Sequence, residues 1–186
     1  IISEGAEVLQ TDLAYDDVVW AAASSTAGHP DDLLVQDTAW QGYEQIPGWI
    51  VDGYGTLFDE ITAQLAERTI HLVVVPTGVG SLLQAALQHY RDPALEERPA
   101  LLAVEPVTAA RVTASLAAGR PVSVDTSEPT IMAGLNCGSV STIAWPAIRD
   151  GLDAGVAITD DEASAAMHRL NEIGVAAGPC GGAALA

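Results

Sequence analysis

The stretch Leu72–Tyr90, LVVVPTGVGSLLQAALQHY, constrains this chain more than any other, because an apolar run, a glycine-bearing turn and an amphipathic segment follow one another directly. Leu72–Val75 is β-branched-rich and unbroken by polar residues, the pattern of a strand buried on both faces. Leu82, Leu83, Ala86 and Leu87 then recur at helical spacing. Between the two elements, Gly78 and Gly80 permit positive φ and a close backbone approach. The N–H groups of Gly78, Val79, Gly80, Ser81 and Leu82 are therefore candidates to hold a phosphate at a helix N-terminus. Glycines at such a turn also serve geometry alone, and from this segment by itself both readings stand.

A second constraint is the cationic inventory: seven arginines and no lysine in 186 residues. Without a lysine after its second glycine, PTGVGS is not a Walker A loop, and the third glycine of the dinucleotide fingerprint is missing. No side-chain amine is available for a Schiff base either. A formal net charge of −18 disfavours nucleic acid and anionic membrane surfaces, which need a basic face to release counterions. The 49% hydrophobic content is not gathered into any run of membrane-spanning length, so a globular core is expected in one domain or two unequal lobes. The segment IISEGAEVLQTD has no positive region followed by an apolar one, and a cytoplasmic location is expected. Cys137 and Cys180 are too few for a disulfide framework and lack metal-ligand spacing, so both are expected as thiols.

Short apolar runs alternate with helical patterns, which implies an α/β architecture with largely parallel strands. Strands are predicted at Ala6–Gln10, Leu33–Gln36, Leu72–Val75, Leu101–Val104 and Val156–Ile158, and helices from about Tyr15, Tyr54, Ser81, Ala109, Thr142 and Asp160. The last helix is the best specified: Thr159 and Glu162 have capping-box spacing, and Ala163, Ala166, Met167 and Leu170 form its apolar stripe. Asp92–Pro99 reads as a charged surface loop. The first expected strand lies a few positions from residue 1, and GGAALA reads as a glycine turn opening a helix, so the chain is expected to be part of a longer polypeptide.

The segments VQDTAWQGYEQIP, PTGVGSLL, AVEP, TIMAGLNCG and GPCGGAALA, in this order and at these separations, resemble the diaminopropionate ammonia-lyase family. That family lies within the pyridoxal-phosphate enzymes that include threonine and serine dehydratases. QDTAWQGY and TIMAGLNCG carry the specific part of the resemblance; the glycine loop, the AVEP strand and the terminal glycine turn are common to the superfamily. The resemblance implies a fold-type II enzyme, with parallel or mixed sheets, helices on both faces and pyridoxal 5'-phosphate between two lobes. Residues 1–53 would be the remainder of the small lobe and residues 54–186 the large cofactor-binding lobe. It further implies a small amino-acid substrate and a homodimer.

By the same resemblance, backbone N–H groups of Gly78–Leu82 hold the cofactor phosphate, Gly134 lies against its ring, and Cys180 takes the place of the Ser or Cys that faces the pyridine nitrogen. A neutral partner there makes a weaker electron sink than a carboxylate would, which suits β-elimination. Gly134 as a simple turn residue and Cys180 as a small buried thiol are the plainer alternatives. Asp37 is the catalytic candidate: it follows a predicted strand, and its carboxylate suits the second ammonium of a diamine or the α-proton. Trp40 and Tyr43 are expected to wall the same pocket.

Two departures matter. Some relatives hold a divalent metal with the Glu of AVEP and an acid six places on; here Glu105 is followed at that distance by Arg111, and no metal site is expected. The Schiff-base lysine and its asparagine loop have no counterpart, so the chain alone is expected to be inactive. The leading expectation for the complete enzyme is α,β-elimination of 2,3-diaminopropionate to pyruvate and ammonia. A threonine or serine dehydratase is the alternative, and a lysine-free fragment that binds a phosphorylated ligand or a partner without catalysis is the alternative of another class.

Overall fold

A computed structural model of the chain describes residues 1–66, 68–95 and 98–186. These form two compact units, Ile1–Leu34 and Val35–Ala186. The first unit contains a short turn at Ile2–Glu4 and helix α1, Tyr15–Thr26, which starts where the sequence predicts. Asp16 and Asp17 lie in its first turn, where the positive end of the helix dipole favours carboxylates.

The second unit is built on a three-stranded parallel sheet in the order β1 (Leu72–Pro76), β2 (Ala100–Pro106), β3 (Ala154–Ile158). Pro76 pairs with Val104 and Pro106 with Ile158, so the three strands end at one edge of the sheet. Each face has its own core, as the alternation of side chains along β2 requires. Leu101 and Ala103 join a cluster with Val51, Phe58, Leu83, Leu87, Val112 and Ile148 on one face. Val104 joins Met132, Leu135, Ile158, Ala163 and Ala183 on the other. The fold is α/β with helices on both faces, as the sequence implies.

The helices are α2 (Gln45–Leu65), α3 (Ser81–Tyr90), α4 (Arg111–Ala118), α5 (Trp145–Gly151), α6 (Asp160–Glu172) and the single turn α7 (Pro179–Gly182). Three of them begin away from their predicted positions. The largest difference is in α2, which starts nine residues before Tyr54. Gly48, Gly53 and Gly55 each disfavour helix by up to about 1 kcal/mol relative to Ala. Burial of Val51 and Phe58 overrides that preference, with Phe58 packed edge-on to Tyr90 at a centroid distance of 5.7 Å. Pro47 is tolerated in the first turn, where its missing N–H has no intrahelical partner to lose. The helices predicted near Ala109 and Thr142 start at Arg111 and Trp145, each preceded by a tighter turn.

Neither Ala6–Gln10 nor Leu33–Gln36 forms a strand. An apolar run becomes a strand only where a neighbour completes its ladder, and among the described residues neither segment pairs with one. Of the predicted loop Asp92–Pro99, positions 96 and 97 lie outside the described residues, and the others are outside regular structure. Neither cysteine is in a disulfide, so both are thiols. Among the described residues no helix is long and apolar enough to cross a membrane.

The capping box of α6 is formed in full. The Thr159 N–H donates to the Glu162 carboxylate at 2.8 Å, and the Glu162 N–H donates to the Thr159 hydroxyl at 3.3 Å. Hydrogen bonds from the Thr159 backbone and hydroxyl hold the Glu162 pKa below its usual value. Replacing Thr159 by Ala should therefore lower stability by about 1 kcal/mol, read from the urea unfolding midpoint at neutral pH. Because the folded pKa is depressed, the contribution of ionised Glu162 is complete above its unfolded pKa and is lost as pH falls through the folded value. The stability difference between the native chain and Glu162→Gln should shrink in that acid window.

Candidate functional site

The chain leaves β1 through Thr77, whose N–H donates to the Val104 carbonyl of β2 and whose hydroxyl donates to the Val75 carbonyl, each at 2.8 Å. It then turns through Gly78–Gly80 into α3. Gly80 has φ +103°, and a Cβ there would stand 3.1 Å from Ile148 Cδ1 and 3.2 Å from Ala144 Cβ, so dihedral and packing both demand glycine. Among the described residues no acceptor takes the backbone N–H of Gly78, Val79, Gly80, Ser81 or Leu82. All five residues line a cavity of about 170 Å³ together with Asp37, Tyr54, Thr77 and Gly134. Unsatisfied N–H groups at a helix N-terminus attract an anion, and this loop offers them without a cationic side chain.

Two other segments close on that loop. Gly134 sits in the short turn Ala133–Leu135, and its carbonyl oxygen would be only 3.2 Å from a Cβ at Gly78. A Cβ at Gly134 would in turn lie 3.3 Å from Cys180 Sγ, so a side chain at either glycine would crowd the facing segment. The Gly134 segment is held to the start of α6, where the Asp160 carboxylate accepts the Ile131 N–H at 3.0 Å and also the Thr130 hydroxyl. Cys180, in α7, is half-buried against the second core.

Asp37 reaches the same cavity from an irregular segment. The Ser81 hydroxyl donates to the Asp37 carbonyl at 3.1 Å, while the Ala39 N–H donates to Ser141 Oγ at 2.9 Å and the Thr142 N–H to the Ala39 carbonyl at 3.1 Å. These bonds hold the partly buried residue Asp37 at the cavity without a strand to carry it. Trp40 and Tyr43 stack on each other with centroids 4.6 Å apart, and the Gln36 N–H donates to the Tyr43 hydroxyl at 3.3 Å. They are absent from the lining of this cavity, where Tyr54 of α2 is the aromatic wall instead. Tyr54 shares its helix with Val51 and Phe58, so its sequence spacing reads as core, and nothing in the pattern singles it out.

Arg111 also has a place that the sequence did not foretell. Its side chain and that of Glu105 are fully buried, with Arg111 Nη1 3.5 Å from Glu105 Oε1. The available signal was a charged residue opening an otherwise apolar helical pattern, AARVTASL. A larger hollow of about 410 Å³ lies beside Met167, His168, Asn171 and Gly178, but it has no comparable set of converging donors. The smaller cavity is the chemically equipped one.

Comparison with known proteins agrees with that geometry. The family model for pyridoxal-phosphate dependent enzymes matches residues 1–186. The chain is 39% identical over 171 residues to diaminopropionate ammonia-lyase of Salmonella typhimurium strain LT2, a match covering 88% of this chain and 42% of the relative. The crystal structure of the Escherichia coli enzyme in complex with an aminoacrylate-PLP azomethine reaction intermediate superposes with a TM-score of 0.89 at 31% identity, over 99% of this chain and 48% of that one. L-threonine dehydratase of Corynebacterium glutamicum is 35% identical over 83 residues, covering 44% of this chain and 19% of the relative. The chain thus spans less than half the length of the diaminopropionate ammonia-lyases that it matches. With its parallel sheet, its glycine loop of open N–H groups and a family match along its whole length, the chain belongs to the fold-type II pyridoxal-phosphate-dependent enzymes.

Proposed function

We propose that this chain supplies the cofactor and substrate pocket of an ammonia-lyase that eliminates the β-amine of 2,3-diaminopropionate and yields pyruvate and ammonia. The observation that carries the reading is that the acidic residue Asp37 lines the same cavity as the Gly78–Leu82 donors, in a chain similar along most of its length to diaminopropionate ammonia-lyases.

The residues fit pyridoxal 5'-phosphate. Five backbone N–H groups suit a dianionic phosphate, and Gly134 lines the same cavity and adjoins a neutral thiol at Cys180. When bound, the cofactor supplies the sink for electrons released at the substrate α-carbon. In this reading the N–H groups of Gly78, Val79, Gly80, Ser81 and Leu82 hold the phosphate, Gly134 admits the ring, and Cys180 faces the ring nitrogen without protonating it. Asp37 binds the ammonium of the departing amine or accepts the α-proton. Tyr54 covers one side of the pocket and limits the entry of water.

The chain holds no lysine, so the family's anchoring amine would come from outside these 186 residues, and the chain alone would not turn over substrate. Residues 1–53 as a remainder of the small lobe, residues 54–186 as the cofactor lobe, a homodimeric assembly and a cytoplasmic location complete the proposal and rest on the family resemblance.

In the full-length polypeptide, Asp37→Asn keeps the shape of the side chain and removes its charge. Turnover of 2,3-diaminopropionate, followed as pyruvate release, should fall by about 10²-fold or more, the usual weight of a general acid or base. Unchanged diamine turnover would remove Asp37 from the mechanism, and faster turnover of serine or threonine than of the diamine in the native protein would favour a dehydratase. Gly80→Ala should cost about 1–3 kcal/mol of stability through the left-handed dihedral alone. It should also weaken retention of pyridoxal 5'-phosphate, measured by dialysis against the cofactor's absorbance.

A further inference from the structure

We propose that Arg111 is the positioning residue of the cofactor site: a buried guanidinium that ties the glycine loop to the Gly134 turn and aims the amides of Gly78 and Val79 at the ligand. The inference rests on the reading of Gly78–Leu82 as the phosphate cradle and assigns the control of its geometry to a side chain that never meets the ligand.

Arg111 Nη2 donates to the Thr77 carbonyl at 2.6 Å and to the Gly78 carbonyl. Nη1 donates to the Leu135 carbonyl at 3.2 Å, beside Gly134, and to the Ala109 carbonyl at 2.7 Å. One planar group therefore spans both loops that enclose the cavity, a task for the fixed fork of arginine and beyond the compact ammonium of lysine.

The trans peptide supplies the link to function. Its C=O and N–H point in opposite directions, and among the described residues every peptide bond is trans. Drawing the Thr77 carbonyl towards Arg111 turns the Gly78 N–H away from it, and drawing the Gly78 carbonyl does the same for the Val79 N–H. Among the described residues neither amide meets an acceptor, and both belong to residues that line the cavity. A charged donor on the carbonyl also polarises the peptide, which strengthens the N–H at its other end.

Glu105 keeps the arrangement neutral. Its carboxylate accepts the Val112 N–H at 2.8 Å, the Thr113 N–H at 3.0 Å and the Thr113 hydroxyl at 3.1 Å, and it faces Arg111 at 3.5 Å. The guanidinium thus adds no net charge to the cavity, and its effect is one of aim and spacing. The compensated variant Glu105→Gln/Arg111→Met follows from that neutrality: it removes both buried charges together and keeps the bulk, a change that folded cores often accept.

The test is the affinity of the full-length polypeptide for pyridoxal 5'-phosphate and for pyridoxal, which lacks the phosphate. The native protein should prefer the phosphorylated form. In Glu105→Gln/Arg111→Met and in Arg111→Lys that preference should fall by about tenfold or more, with the affinity for pyridoxal falling by less than that for pyridoxal 5'-phosphate. A native protein without the preference would remove the phosphate reading itself. A native preference that survives intact in a folded double variant would overturn the role of Arg111 and leave the phosphate reading standing. Should neither variant fold, the native protein labelled with ¹⁵N-arginine decides. The Arg111 Nη signals should shift on addition of pyridoxal 5'-phosphate and not of pyridoxal, and signals indifferent to both would overturn the proposal.

Discussion

The parallel pairing of β2 between β1 and β3 is the constraint on which the site depends. The registers Pro76 to Val104 and Pro106 to Ile158 align the strand ends, so the chain leaves all three strands at one edge. The glycine loop, the turn before α4 and the capping box of α6 are consequences of that alignment, since each follows directly from the end of a strand. Ligands of open parallel sheets bind at this edge because loops and helix N-termini gather there. The Thr77 N–H, bonded to the Val104 carbonyl, continues the ladder one residue past β1 and fixes where the loop begins.

Above the sheet edge, the site is made by backbones that approach closely. Gly78 faces the Gly134 carbonyl, and Gly134 faces Cys180, at spacings that a side chain would crowd. Close packing of bare peptide groups confers a shape but leaves polar atoms to be satisfied, and buried carbonyls without donors are costly. Arg111 meets that demand for the carbonyls of Thr77, Gly78 and Leu135, while the amides on the opposite side of the glycine loop stay open. A loop of open, neutral amides is also consistent with a chain of net charge −18.

Much of this was legible from residues. Leu72–Tyr90 announces its strand, turn and helix because burial on both faces and helical spacing leave distinct marks, and β1 and α3 begin where they were placed. The α6 cap is equally legible, because Thr159 and Glu162 interact within four residues of chain. Features with distant partners were not. Ala6–Gln10 and Leu33–Gln36 have strand-like composition and no strand neighbour among the described residues, while α2 forms through three glycines because Val51 and Phe58 find a core. Tyr54 reached the cavity, and Trp40 and Tyr43 stacked on each other instead, for reasons that lie in the placement of α2 and not in local pattern.

By itself, then, the sequence determined the α/β class, the glycine loop at Gly78–Leu82, the capping box at Thr159 and, through that loop, the AVEP strand and the terminal glycine turn, the pyridoxal-phosphate family. Each of these is encoded in contiguous residues, where spacing, glycine freedom and side-chain type act over a few bonds. Only the tertiary structure decided that Asp37, Gly134 and the glycine loop share one cavity, that Cys180 closes on Gly134, and that Arg111 joins two loops 24 and 33 residues away. Contacts across such separations depend on how the sheet stacks its connections, and no local propensity carries that information.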